Sequence, residues 1–199
     1  QFDTIYHENF HYHSLGTVQR IFNAHGLELY DVEELPTHGG SLRIYAAHRD
    51  YGAHMREAVQ ALLAREREFG LEDVRTYTGF SDKMQNIKLD TLGQLSQWKQ
   101  AGKRIAAFGA AAKGNPVLHY SGIKTDLIDF VVDSNPHKQG LYLPGSLIPI
   151  VGREALRERR PDYLLILPWN LRDEIIEAAG VIREWGGQFA VCIPQLDVF

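Results

Sequence analysis

The chain is 199 residues long, 44% hydrophobic and 23% charged, the proportions of an ordinary folded domain rather than of a disordered or fibrous chain. A formal net charge of −4 excludes broad electrostatic capture of nucleic acid or of an anionic membrane, while leaving room for a local basic pocket around one phosphorylated ligand. The single cysteine, Cys192 in the apolar run QFAVCIP, excludes an intrachain disulfide framework and a multi-cysteine zinc site, and reads as a buried strand residue rather than a nucleophile. No apolar run approaches the roughly 20 residues of a spanning helix, and the N-terminal stretch has no charged region followed by an apolar core. A cytoplasmic protein is expected. Position 1 is glutamine, which suits a processed product or a piece of a longer chain.

In chain order, the opening stretch Tyr6-His7-Glu8-Asn9-Phe10-His11-Tyr12-His13 crowds titratable groups where order is normally poorest, so it is expected to be covered. If extended, it places His7, Asn9, His11 and His13 on one face. Three readings are open: metal ligation by His11 and His13, structural histidines packed with tyrosines, or proton transfer. Proton transfer is preferred, because a glutamate beside an imidazole or phenol supplies the orienting partner of acid–base chemistry.

SLGTVQRIFNAHG is predicted to be a helix, with Ser14 as cap, Leu15, Val18, Ile21 and Phe22 at helical spacing and Gly26 as the stop. LELYDVEEL and SLRIYAAH read as strands around a turn from Pro36 to Gly40. MREAVQALLAREREFG carries an apolar stripe of Met55, Val59, Leu62 and Leu63 and ends at Gly70. LEDVRTYTGFSDK reads as a polar connector into a further helix with Ile87, Leu92, Leu95 and Trp98.

From Gly102 the apolar bursts RIAAFGAAAKGN, LIDFVVDSN, SLIPI, DYLLILPWN and QFAVCIPQ alternate with helical NPVLHYSG, GREALRERRP and LRDEIIEAAGVIREWGG. Parallel neighbours need crossovers, and helices supply them, so the pattern implies an α/β fold with a mostly parallel sheet covered on both faces. A Rossmann-like domain is placed at 102–199. In AAFGAAAKGN the strand ends at Phe108, the chain turns at Gly109, and a helix starts near Lys113, a geometry in which backbone N–H groups and a cation can face one anion. It is neither G-x-G-x-x-G nor the Walker pattern, and a tight packing turn is the alternative. Asp133, Ser134 and Asn135 follow the next strand at the same sheet edge, which ligands favour in open α/β sheets.

The segments FDTIYHENF, THGGSLRIY, AAFGAAAKGN, DFVVDSNPHKQGLYLPG and DYLLILPWN, in order over nearly the whole chain, resemble the sugar C-methyltransferases, which attach a methyl group to a ketosugar carried on a nucleoside diphosphate. That family joins an N-terminal zinc domain, a central S-adenosylmethionine-binding domain and a C-terminal Rossmann-like domain that helps hold the nucleotide-sugar; this chain resembles the last part. The resemblance implies that 1–49 is the closing helix–strand–strand of the methyltransferase fold, 50–101 a helical bridge and 102–199 the nucleotide-sugar-binding domain. S-adenosylmethionine and zinc would belong to N-terminal domains of the same parent chain, no metal site is expected here, and the isolated fragment is expected to be inactive.

The resemblance also implies a chemistry, in which a 4-keto group acidifies the proton on C3, a base removes it, and the enolate attacks a sulfonium methyl. Tyr6, His7, Glu8 and Asn9 fall where such enzymes keep their proton-transfer groups. Tyr6 and Glu8 match the pattern, whereas Asn9 stands where the family has the histidine proposed as base. An amide takes no proton at neutral pH. Three alternatives follow: His7 or His11 takes over; Tyr6 acts, oriented by Glu8, although a phenol ordinarily titrates near ~10; or the parent protein has moved to another methyl acceptor. Lys113, Gly114 and Asn115 are expected at the pyrophosphate, with Asp133 and Asn135 beside them. The competing readings are a non-catalytic Rossmann-type nucleotide-binding module, motivated by Asn9, and a nicotinamide enzyme, disfavoured by the departure from G-x-G-x-x-G.

Overall fold

The computed structural model describes residues 2–199. Two compact units are present: one is Phe10–Ser81, and the other joins the opening residues up to Asn9 to Asp82–Phe199.

In the Phe10–Ser81 unit, α1 (Leu15–Ala24) starts at Ser14, whose hydroxyl accepts the Thr17 N–H at 3.2 Å, as the sequence predicts. The Leu15 and Gly16 N–H groups donate instead to the two carboxylate oxygens of Glu66, at 2.6 and 2.8 Å. Glu66 lies on α2 (Glu57–Phe69), so this fork ties the two helices together and sets a negative charge at the positive end of α1. Glu66→Ala is expected to lower stability by about 1–2 kcal/mol, read as a lower urea midpoint, with Glu66→Gln intermediate.

Strands β1 (Leu27–Leu35) and β2 (Ser41–His48) pair antiparallel, with a register shift between Leu29 and Asp31. Their apolar residues Leu29, Val32, Leu42 and Ile44 pack with Leu15, Val59 and Leu62. Helix α2 ends at Gly70 in the left-handed conformation, as expected of a C-terminal glycine. The supposed connector LEDVRTYTGFSDK is helical from Val74, within α3 (Val74–Gln100). Asp73 Oδ1 accepts the Arg75 N–H at 2.9 Å, a capping contact, and the Thr76 and Tyr77 hydroxyls donate to Gly70 and Leu71 carbonyls. These contacts outweigh the weak helix propensity of the threonines and glycine there.

The second unit is built on β3 (Ile105–Phe108), β4 (Phe130–Val132), β5 (Ile150–Val151), β6 (Tyr163–Ile166), β7 (Gln188–Val191) and β8 (Asp197–Val198), with helices α4 (Gly114–Ser121), α5 (Glu154–Arg159) and α6 (Arg172–Ala179). The spatial order is β5-β4-β3-β6-β7-β8, parallel throughout except for β8. The expected α/β architecture is therefore present, with one antiparallel edge strand that the sequence reading lacks. Alternation sends Ile105 and Ala107 to a face shared with Leu95, Trp98, Val117 and Leu118. Ala106 and Phe108 go to the other, with Leu156, Ile175 and Ala179. Both faces are dry, which is why the strands read as continuous apolar bursts. Cys192 is buried; burial pushes its thiol up to about 11, against a smaller lowering by the Thr91 hydroxyl, so at neutral pH it is a protonated core group and no nucleophile.

Phe2 and Asp3 are covered, and by this unit, whereas the stretch 6–13, expected to be covered, is half-buried at Tyr6 and exposed from His7 to His13. Phe2 is 3% exposed and sits edge-on to Tyr120 at 5.5 Å within the core. Asp3 is fully buried, and its Oδ2 accepts the Trp169 indole N–H at 2.7 Å. Phe2–Thr4 form a 3₁₀ turn and residues 6–8 a bend and turn. The extended form, with four side chains on one face, is not adopted.

Candidate functional site

At the centre of the sheet β3 and β6 are neighbours, while the chain proceeds from β3 to β4 on one side and from β6 to β7 on the other. This is the point where open α/β folds open a ligand crevice beyond the strand C-termini. Here the crevice is filled. Gly109 has φ +92, and a Cβ on it would stand 2.6 Å from the Pro168 ring; a Cβ on Gly114 would stand 2.9 Å from Leu167. Glycine is required at both positions because the chain that follows β6 lies directly on the turn.

The turn also spends its N–H groups internally: Gly109 to Val132 O, Gly114 to Ala111 O and Asn115 to Ala112 O. The Ala110 N–H donates to Asp133 Oδ2 at 2.8 Å. Asp133 further accepts the Asn135 N–H at 2.8 Å and lies 3.6 Å from Lys138 Nζ, which donates to Ala110 O. Asn135 is exposed, its Oδ1 accepting the His137 N–H. Asp133 and Asn135 thus brace the loops after β3 and β4. Lys113 is 7% exposed; its ammonium donates to Asn170 Oδ1 at 3.2 Å and lies 5.7 Å from the centre of the Trp169 ring. A cation from the first turn is thereby held against the segment after β6.

The open space lies to the side of this edge, in a cleft of about 580 Å³. One wall is the opening segment, with Phe2, Ile5, Tyr6 and His7; the other is α4 and its approach, with Ala112, Asn115, Pro116, His119 and Tyr120, closed off by Met84 and Pro144. Asn115 and His119 are four apart and so share a helix face. Asn115 Oδ1 is buried without a hydrogen-bond partner among the described residues, an acceptor left over for whatever enters. His119 Nε2 is 2.6 Å from Pro144 O.

Of the sequence-predicted residues, Tyr6, His7 and Asn115 come together in this cleft. Glu8 is solvent-exposed and outside the lining. Asn9 closes the turn beneath Tyr6: its N–H donates to Tyr6 O at 2.9 Å and its amide Nδ2 to Thr4 O at 2.8 Å. Lys113, Gly114, Asp133 and Asn135 stand behind the lining rather than in it. His119 is a cleft residue that the sequence reading passed over, and Trp169 and Asn170, also passed over, stand with Lys113 behind the lining. The i, i+4 spacing from Asn115 to His119 was the available signal for the first of these.

The model of the C-methyltransferase C-terminal domain matches residues 36–194. The chain belongs to that family. The C-methyltransferase NovU of Streptomyces niveus is 40% identical to it over 195 residues, an alignment covering 98% of this chain and 46% of that protein. The chain therefore spans about half the length of the curated relative that it matches. Methyltransferases ordinarily use S-adenosylmethionine; at the switch point of this chain Pro168 occupies the space above Gly109, and the Asp133 carboxylate already holds two N–H groups. Among the described residues no group of three His, Cys, Asp or Glu side chains can hold a metal ion, and His11 and His13 stack on each other at 5.6 Å. No helix among them is long and apolar enough to cross a membrane.

Proposed function

We propose that this chain is the C-terminal part of an S-adenosylmethionine-dependent C-methyltransferase acting on a nucleoside-diphosphate ketosugar, where it holds the nucleotide-sugar and supplies proton-transfer residues. The observation that carries the reading is the cleft, in which Tyr6 and His7 of the opening segment meet Asn115 of α4 in a chain of the C-methyltransferase C-terminal family. Its apolar and aromatic walls suit a sugar ring or base, and its few polar groups suit orientation of a keto or hydroxyl oxygen. Residues 1–49 then close the methyltransferase domain, 50–101 bridge to the cleft-bearing part, and 102–199 hold the nucleotide-sugar. Methyl donor and zinc belong to N-terminal domains of the parent chain. The fragment alone is inactive. A free, buried thiol accords with a reducing, cytoplasmic setting.

Tyr6, on the cleft lining, handles protons in this scheme, with His7 and Asn9 shaping the turn around it, while Glu8, expected beside it, lies outside the lining. Lys113, between α4 and the segment after β6, is the cation toward which the diphosphate is drawn. In the full-length protein Lys113→Ala is expected to raise KM for the nucleotide-sugar about 10- to 100-fold at nearly constant kcat, measured by steady-state kinetics with the melting temperature as control. An unchanged KM in a folded variant leaves Lys113 as a brace to Asn170 and removes it from the diphosphate.

A further inference from the structure

Abstraction of a proton from carbon needs an acceptor already aimed before the substrate arrives, and the candidates around the cleft differ in how they are held. The Asn9 amide has no basic lone pair and is engaged with Thr4 O. Glu8 is exposed, outside the lining. His7 sits exposed on a turn. His119 is fixed. A carbonyl oxygen can only accept, so the 2.6 Å contact to Pro144 O requires that Nε2 carry a hydrogen, which leaves Nδ1 as the basic nitrogen of the neutral ring. Gly145, with φ +72, permits the contact, since a Cβ there would stand 2.6 Å from Nε2. Both His119 and Pro144 line the cleft, so orienting acceptor and imidazole belong to one wall.

We propose that His119 is the proton acceptor of the cleft, taking the proton α to the keto group of the bound sugar on Nδ1; this rests on the ketosugar reading above. In the step, the α C–H bond breaks, its proton goes to Nδ1, and its electron pair forms a C–C π bond as the carbonyl π pair moves onto oxygen. The Tyr6 hydroxyl, on the same lining, is the donor for that enolate oxygen. Pro144 O keeps the imidazolium in place through Nε2–H, as an orienting acceptor does in other histidine bases. Return of a deuteron from Nδ1 in heavy water exchanges the α-position without any methyl donor.

The test uses the full-length protein with thymidine- and uridine-diphosphate 4-ketohexoses in deuterium oxide, without methyl donor, following loss of the α-proton resonance and a gain of one mass unit. Wild type is expected to exchange, and His119→Gln to exchange about 10²- to 10⁴-fold more slowly with ligand Kd and melting temperature unchanged. Should His119→Gln fail to fold, His119→Ala with added imidazole carries the same question, restored exchange supporting the assignment and absent rescue opposing it. Exchange at the wild-type rate in a folded His119→Gln overturns the proposal and passes the role to His7. If wild type binds these sugars but exchanges none, the ketosugar chemistry itself is wrong and the assignment falls with it.

Discussion

Alanine at Gly109 is expected to destabilise the sheet unit by about 2–4 kcal/mol. Two costs combine. A non-glycine residue at φ +92 pays roughly 1–2 kcal/mol for its left-handed backbone, and the new methyl group, 2.6 Å from the Pro168 ring, adds about 1–3 kcal/mol of overpacking. The two are separable by experiment. Gly102 has φ +72 and nothing within 4 Å of a built Cβ, so Gly102→Ala reports the backbone cost by itself. Urea denaturation of both variants should place Gly109→Ala well below Gly102→Ala. Equal midpoints would mean that Pro168 does not seal the crevice at the sheet centre, and would reopen that crevice as a ligand seat.

The second large effect is expected at Asp133. Its carboxylate accepts two backbone N–H groups at 2.8 Å and neighbours Lys138. Asp133→Ala leaves the part-buried Ala110 N–H without that acceptor, while the exposed Asn135 N–H turns to water, so a loss of about 1–3 kcal/mol is expected by chemical denaturation. Asp133→Asn keeps one acceptor oxygen and should lose roughly half as much. The experiment also decides what the residue does for ligand. A folded Asp133→Ala protein of wild-type stability but weakened nucleotide-sugar binding would move this carboxylate from bracing the loops to contacting ligand.

The sheet was legible because its chemistry is local. β3, β4, β6 and β7 are buried on both faces, and double burial leaves an uninterrupted apolar burst. β8 left no such trace: it is two residues long and pairs only with β7 at an edge. The early start of α3 was hidden for a different reason, since Thr76, Thr78 and Gly79 argue against helix while the capping by Asp73 and the hydroxyl contacts to Gly70 and Leu71 are visible only once the chain is folded. The same limit applies to the site. Titratable groups in YHENFHYH drew notice to Tyr6 and His7, which do line the cleft. Periodicity carries nothing about Pro144 and Gly145, a loop far along the chain that seats the His119 ring. The strand–turn–helix pattern with Lys113 suggested an anion cradle at Gly109–Gly114, whereas the need for glycine there arises from Pro168 and Leu167.

The anchoring of Phe2 and Asp3 has a consequence for how the polypeptide is made. Translation delivers Asp3 well before the indole that it engages, which lies 166 positions later, so during synthesis that carboxylate waits without its partner, while Phe2 meets Tyr120 of α4 earlier. The Phe10–Ser81 unit, whose contacts are its own, can assemble in that interval. Complete seating of the first turn therefore waits for Trp169. It joins the two ends of a long loop, a cost that grows only logarithmically with loop length, and the wall bearing Tyr6 and His7 gains this hydrogen bond only once β6 and the segment after it have been delivered.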